Sequence, residues 1–205
     1  MRKVFPLILS LVIVIIMVYS FSGGDTTEDY IQEIKEDRES KQSFMASNSA
    51  SPFRKGEIPF DSLRYFPPNP EYRVKATLSP VTMNKLMQLP TTTGEQEKFI
   101  KHSTAEFTID GVPCRALLLE SGELAAPKQL FLFFVDETST RSTYGGGRYL
   151  DVDYPEGNTV TLDFNKAYNP YCAYNETYSC PVPPRQNNLP VAIKAGEKKY
   201  FTEGY

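Results

Sequence analysis

The fold class is decided by the stretch TAEFTIDGVPCRALLL, which runs from Thr104 to Leu119. Apolar and polar side chains alternate from Thr104 to Ile109, as they do in a strand with one buried face. Asp110-Gly111 then forms a two-residue turn of the kind that joins antiparallel strands, and an apolar run follows it. The sequence therefore predicts an antiparallel β-hairpin here.

Further strand-like stretches lie on both sides of this hairpin. Gln129–Val135 is almost continuously apolar, which predicts a strand buried on both faces. The other predicted strands are Tyr72–Leu78, Arg148–Val152, Thr159–Phe164, Val191–Ile193 and Lys198–Phe201. Sixteen Pro and twelve Gly indicate many turns and few long helices. We expect a mainly β fold, either an antiparallel barrel or a sandwich, with one N-terminal helix.

That helix is predicted to begin at Thr26, whose hydroxyl can cap it. Acidic residues occupy its first turn, and helical spacing continues to about Ser43. Its apolar face is narrow, so the helix is either a stalk or a lid laid on the domain. Residues 46–52 have the composition of a linker.

Before the helix, residues 4–21 form an apolar segment without a charged side chain. Eighteen helical residues rise about 27 Å, which nearly spans a ~30 Å hydrocarbon core. Arg2 and Lys3 precede the segment and acidic residues follow it, which places the C-terminus outside the cytoplasm. We expect a single transmembrane helix in the cell membrane, with a periplasmic or extracellular domain. A cleaved signal peptide is the alternative.

The chain therefore divides into a membrane segment at 1–24, a helical stalk and linker at 25–52, and a β-rich domain at 53–205. Its net charge is −3, and without Arg2 and Lys3 the remainder carries −5. Nucleic-acid binding needs a basic face, so this balance argues against a nucleic-acid partner. The expected partners are the membrane and a small-molecule ligand.

Four blocks of the C-terminal half resemble a known family. They are TYGGGRYL at 143–150, LDFN with AYNPYCAY at 162–174, CPVPP with NNLP at 180–190, and AGEK at 195–198. In this order they are similar to a widespread family of uncharacterised bacterial and archaeal proteins. The resemblance implies the identity of the domain, and it implies no activity or cofactor.

Arg148 is the residue of these blocks best suited to an anion. Three glycines before it allow close backbone approach, and its guanidinium can bind a carboxylate or phosphate through two nitrogens. The alternative is a structural ion pair, for example with Asp163. The candidate ligand-binding residues are Tyr144, Gly146, Arg148, Asp163, Asn165, Tyr168, Asn169, Asn188 and Glu197.

The oxygen-bearing members of this set allow two interpretations. Asp163 and Asn165 share a strand face, and with Asn169, Asn188 and Glu197 they would offer the oxygen ligands that hard cations prefer. The alternative is that these side chains satisfy backbone groups of a Pro-rich loop. We favour the second interpretation and predict no metal site.

The cysteines and the single histidine narrow the chemistry further. Cys172 and Cys180 are eight residues apart in a segment predicted to be exported, which favours a disulfide, and Cys114 is expected to be a buried free thiol. His102 is predicted to lie in an exposed loop, and every catalyst based on histidine would have to use it.

These observations leave three functional hypotheses. The first is an exported, membrane-anchored domain that binds a small anionic or polar ligand near Arg148, without a cofactor. The second is a hydrolase or lyase that works with carboxylates and without histidine. The third is a structural protein of the cell envelope.

Overall fold

The computed structural model describes residues 26–122 and 129–200. Two α-helices come first, α1 at Thr27–Ser47 and α2 at Pro52–Lys55. The strands that follow are β1 at Arg73–Pro80, β2 at Leu86–Pro90, β3 at Gln96–Ile109, β4 at Val112–Ser121, β5 at Leu130–Phe134, β6 at Arg148–Val152 and β7 at Thr159–Asp163. Short 3₁₀ turns lie at Pro70–Tyr72, Phe164–Lys166, Tyr171–Ala173 and Arg185–Asn187.

All seven strands belong to one antiparallel sheet in the order β6-β5-β4-β3-β1-β7, with β2 paired to β3. The edge strands β6 and β7 come close to each other. The chain after β7 returns along β6, where Tyr149 and Tyr168 exchange two backbone hydrogen bonds of 2.8 and 2.9 Å. The sheet is therefore a half-barrel. The predicted mainly β, antiparallel class is confirmed, and the finer choice between closed barrel and sandwich is replaced by this curved sheet.

The predicted hairpin joins β3 to β4. Asp110 and Gly111 have φ of +50° and +75°, and Ile109 pairs with Val112 across the turn. Positive φ at both central residues is the geometry that matches the right-handed twist of paired strands. The short-range turn signal thus places the two longest strands of the sheet next to each other.

Both faces of the sheet are covered, and β5 contributes to each. Leu130, Leu132 and Phe134 belong to the larger core, whereas Phe133 packs in a second apolar cluster with Phe99. This arrangement confirms the prediction that the strand is buried on both faces.

Two predicted strands are absent from the described residues, and one strand was not predicted. Residues 191–193 and 198–200 are not part of the sheet. The Ile193 carbonyl accepts a hydrogen bond from the buried Arg148 side chain, and the Lys198 N–H donates to the Arg64 carbonyl. The unpredicted strand is β2, a short edge strand with little burial.

The α1 helix lies on the domain. The predicted cap at Thr26 is confirmed, since its side chain and that of Asp29 form a reciprocal capping box. Tyr30, Ile34 and Met45 are buried, so the narrow apolar face is a contact face. Of the two placements considered, the structure has the lid and not a free stalk, and the helix ends at Ser47 rather than near Ser43.

Within residues 26–122 and 129–200, no helix combines the length and apolar character needed to cross a membrane. The transmembrane helix predicted at 4–21 lies outside the residues that the structure describes.

Candidate functional site

Arg148, the first residue of β6, is enclosed by protein. Its side chain is 1% exposed. Nη2 donates to Asp136 Oδ2 at 2.6 Å and to the Ile193 carbonyl at 3.0 Å, and Nη1 donates to the Ala195 carbonyl. The guanidinium also lies 5.2 Å from the centroid of the Phe134 ring. Both terminal nitrogens are therefore engaged inside the fold.

The carboxylate that faces Arg148 is Asp136, so the alternative that named Asp163 is corrected. Asp136 Oδ1 accepts from the backbone N–H of Thr138 at 2.7 Å and from the Thr138 hydroxyl. Thr143 extends the network, with its hydroxyl oxygen 2.9 Å from that of Thr138. All these side chains are buried. The network pins the segment after β5 to the C-terminal segment.

The glycines before Arg148 allow the backbone to pass close to other parts of the protein. Gly147 has φ of +92°, and a Cβ there would lie 2.6 Å from the carbonyl oxygen of Phe134. A Cβ on Gly146 would lie 2.5 Å from the ring of Tyr144. These close approaches are to protein atoms, which accounts for the glycine run without an anion.

Asp163 and Asn165 form a second network beneath α1. The Tyr30 hydroxyl donates to Asp163 Oδ1 at 2.8 Å, and Asn165 Nδ2 donates to the same hydroxyl at 2.9 Å and to the Asn69 carbonyl at 2.8 Å. Arg38 of α1 donates to the Asn165 carbonyl at 3.2 Å. Burial, together with the nearby carboxylate, raises the pKa of Tyr30. This network fastens the helix to the end of β7.

Glu197 centres a third network. Its carboxylate is fully buried and accepts from Asn169 Nδ2 at 2.9 Å, from the Asn169 backbone N–H at 3.2 Å and from the Tyr174 hydroxyl. Lys41 Nζ lies 3.8 Å from Oε2 and 4.1 Å from the centroid of the Tyr168 ring. Burial raises the pKa of Glu197 and lowers that of Lys41.

Asn188 is exposed, and the buried asparagine is its neighbour Asn187. Asn187 Oδ1 accepts from the Leu117 N–H at 2.7 Å, and its Nδ2 donates to the carbonyls of Leu117 and Phe133 at 3.0 and 2.8 Å. One amide thus joins β4 to β5 beyond the point where the strands pair directly. The predicted candidate was one residue away from the side chain with the structural role.

The predicted candidates therefore do not share one pocket. Arg148, the Asp163–Asn165 pair and the Asn169–Glu197 pair belong to three networks, each largely satisfied within the protein. The first and third networks meet where Arg148 Nη1 donates to the Glu197 backbone carbonyl at 3.4 Å. In the part of the chain that the structure describes, no three Cys, His, Asp or Glu side chains are grouped to hold a metal ion.

The three cysteines are free thiols in the structure, so the predicted Cys172–Cys180 disulfide is not formed there. The two thiols are nevertheless hydrogen-bonded, and the Cys172 N–H donates to Cys180 Sγ at 3.3 Å. The hydrogen bond from Cys180 lowers the pKa of Cys172 to about 7. Cys114 is buried, as predicted.

His102 lies in β3, not in a loop. It occupies the bulge where pairing with β4 shifts between Lys101 and Ser103, and its ring contacts that of Tyr154 at 5.1 Å. Burial lowers its pKa.

A cavity of about 610 Å³ lies between α1, β6 and the chain that follows β7. We call it the Lys41 cavity. Its wall includes Asp37 and Lys41 from α1, Asp151 from β6, and Tyr168, Tyr171 and Tyr178 from the later segment. Ligand pockets in proteins measure roughly 300–1,000 Å³ and combine apolar walls with a few polar groups, which matches this cavity.

Tyr178, a residue of the wall, has one polar atom without a partner. The Tyr178 hydroxyl is shielded from solvent and forms no hydrogen bond with any residue in the described ranges. A buried hydroxyl without a partner is costly. Because this oxygen has no accessible surface, it does not face the cavity space, and Tyr178 lines the cavity through other atoms.

Sequence reasoning found only Tyr168 of this wall. Asp37 and Lys41 were missed because they lie on a helix with an ordinary charged surface pattern, and no local motif marks them. Tyr171 and Tyr178 carried a weak signal, namely the density of tyrosine between 168 and 178.

The half-barrel with its N-terminal helix defines the class of domain. Comparison with known proteins identifies its family. The chain matches the family described as Protein of unknown function (DUF1684) over residues 59–198, and it belongs to that family. It is similar to an uncharacterized protein of Haloarcula marismortui whose solution NMR structure is known. The two are 34% identical over 84% of this chain and 95% of that chain, with a TM-score of 0.63. A comparison with curated proteins gives no match. No specific function is indicated by the family or by this relative.

Proposed function

We propose that this domain binds a small organic molecule in the Lys41 cavity. The observation that carries the proposal is the composition of the wall, in which tyrosine rings and charged side chains surround a space of ligand size.

The proposal moves the binding site away from Arg148, where the sequence had predicted it. Arg148 has its terminal nitrogens engaged by Asp136 and by backbone carbonyls, whereas Lys41 is about a quarter exposed (26%) at the cavity wall. The carboxylate-based hydrolase or lyase has less support, since Glu197 is fully buried and Asp163 accepts from Tyr30.

A fragment library screened by thermal shift tests the proposal, with each hit titrated against two variants. Tyr171→Ala removes a ring from the cavity wall, and Tyr154→Ala removes a half-exposed ring that does not line it. We expect hits to bind about ten-fold more weakly to Tyr171→Ala and unchanged to Tyr154→Ala. Circular dichroism checks that both variants are folded. Hits that bind both variants equally well would place the site elsewhere.

We also propose that residues 4–21 hold the domain at the outer side of the cell membrane. The charge-free apolar segment after Arg2-Lys3 supports this, as does the acidic sequence after it. N-terminal sequencing of the membrane-associated protein tests it. An intact Met1 or Arg2 end is expected, and a new N-terminus at Gly23 would contradict the anchor.

A further inference from the structure

The charges around the Lys41 cavity do not favour an anion. Lys41 lies 3.8 Å from the buried Glu197, and Lys166 Nζ lies 2.7 Å from Glu33 Oε1. Each lysine at the wall therefore already faces a carboxylate of its own. An incoming anion would have to compete with these carboxylates for the same cations.

The two aspartates at the wall are differently placed. Among the described residues, Asp37 and Asp151 form no ion pair with a lysine or arginine. Asp151 Oδ1 accepts a hydrogen bond from an uncharged donor, the Tyr168 hydroxyl, at 2.7 Å. The wall itself carries two lysines and two aspartates. Because both lysines already face glutamates behind the wall, Asp37 and Asp151 are the charged groups left without an ion-pair partner.

The tyrosine rings at the wall would also attract a cation. The faces of tyrosine rings carry negative potential and attract ammonium groups. The fold already uses this attraction, because Lys41 Nζ lies 4.1 Å from the centroid of the Tyr168 ring. Tyr171 and Tyr178 line the same cavity and contact each other edge to face at 5.2 Å.

We infer that the ligand of the Lys41 cavity is an organic ammonium ion, held by the tyrosine rings and neutralised by Asp37 and Asp151. The inference rests on the proposed function and names the chemical class of its ligand. The sequence had predicted a small anionic or polar ligand near Arg148. A cation is favoured at this wall, since its lysines have carboxylate partners and its aspartates have no ion-pair partner among the described residues.

Three phenyl probes of similar size separate charge from shape. These are benzylammonium, benzyl alcohol and benzoate, each titrated into the folded domain while amide chemical shifts are followed. We expect the cation to bind about ten-fold more tightly than the alcohol, with benzoate weakest. Shift changes should centre on the residues of the cavity wall.

A pair of double variants tests the assignment of the aspartates. Asp37→Asn with Asp151→Asn should weaken the cation about ten-fold and leave benzyl alcohol unchanged. Glu39→Gln with Asp153→Asn removes the same net charge from exposed positions outside the wall, and should change neither affinity substantially. Equal losses in the two double variants would show a general charge effect and overturn the assignment.

The outcomes also distinguish the two proposals. Benzoate or benzyl alcohol binding in the cavity as tightly as the cation overturns the ammonium inference and leaves the binding function standing. If the fragment library and all three probes leave the shifts of the cavity wall unchanged, the proposed function fails as well.

Discussion

Two regions of the molecule place a basic side chain against a buried carboxylate, and they differ in what surrounds the pair. Arg148 and Asp136 meet at 2.6 Å with side chains 1% and 0% exposed. Lys41 and Glu197 are 3.8 Å apart, and Lys41 stays 26% exposed at a cavity. The first pair is closed on all sides, and the second opens to a space of ligand size. The glycine-rich run before Arg148 thus marks a buried structural ion pair. The open site at the Lys41 cavity is built from segments distant in sequence.

The closed pair should be the more costly to break. Arg148→Met leaves Asp136 buried without its cation and removes the donor to the carbonyls of Ile193, Ala195 and Glu197. We therefore expect a loss of about 3–5 kcal/mol in the free energy of unfolding. Urea unfolding measures it. The matched control is Arg141→Met at an exposed position, which should stay within about 0.5 kcal/mol of the parent. A loss under about 1 kcal/mol for Arg148→Met would contradict the structural role.

Asn187 and Asn188 also allow a buried side chain to be compared with an exposed one, and the expected loss of stability is smaller. Asn187→Ala leaves the Leu117 amide group and the Phe133 carbonyl unpaired in the interior, which should cost about 2–3 kcal/mol. Asn188→Ala changes an exposed side chain and should be near neutral. Equal effects of the two substitutions in urea unfolding would refute the assignment of Asn187 as the link between β4 and β5.

The open pair should contribute less to stability than the closed one. Lys41→Met removes the partner of Glu197, but Tyr174 and Asn169 still donate to the carboxylate, so we expect a loss of about 1–2 kcal/mol. Lys35→Met, an exposed lysine of the same helix, serves as the control. A loss for Lys41→Met as large as that for Arg148→Met would remove the contrast between the two regions.

The smallest expected effect concerns the thiols beside the cavity. The hydrogen bond from Cys180 lowers the pKa of Cys172 to about 7, whereas burial raises the pKa of Cys114. Because the thiolate is the reactive form, alkylation of Cys172 by iodoacetamide should accelerate as the pH rises through about 7. Cys114 should react more slowly throughout. Peptide mass mapping measures both rates, and a Cys172 profile that rises only near pH 9 would contradict the lowered pKa.

Much of the sheet was predictable from the sequence because its signals are local. The Asp110-Gly111 turn, the alternation before it and the apolar run at Gln129–Val135 each reflect backbone or burial preferences within a few residues. The strand predicted at 191–193 was wrong, since the Ile193 carbonyl accepts from Arg148, 45 residues away in sequence. The Ala195 carbonyl just after it accepts from the same side chain.

The candidate site was less predictable for the same reason. The residue types in the family blocks were chemically suitable, but their partners were not visible in the sequence. Asp136, Tyr30 and Tyr174 satisfy Arg148, Asp163 and Glu197 respectively, and only the fold brings these pairs together. The cavity itself depends on where α1 lies. The narrow apolar face of the helix did not decide between a free stalk and a lid.

The location of ligand binding tests the central claim most directly. The amide chemical shifts of the protein are recorded with each fragment hit. They distinguish binding in the Lys41 cavity from binding near Arg148. We predict that the changes centre on Lys41, Tyr171 and Tyr178 at the cavity wall. Changes centred on residues 143–148, with the cavity wall unaffected, would contradict the account.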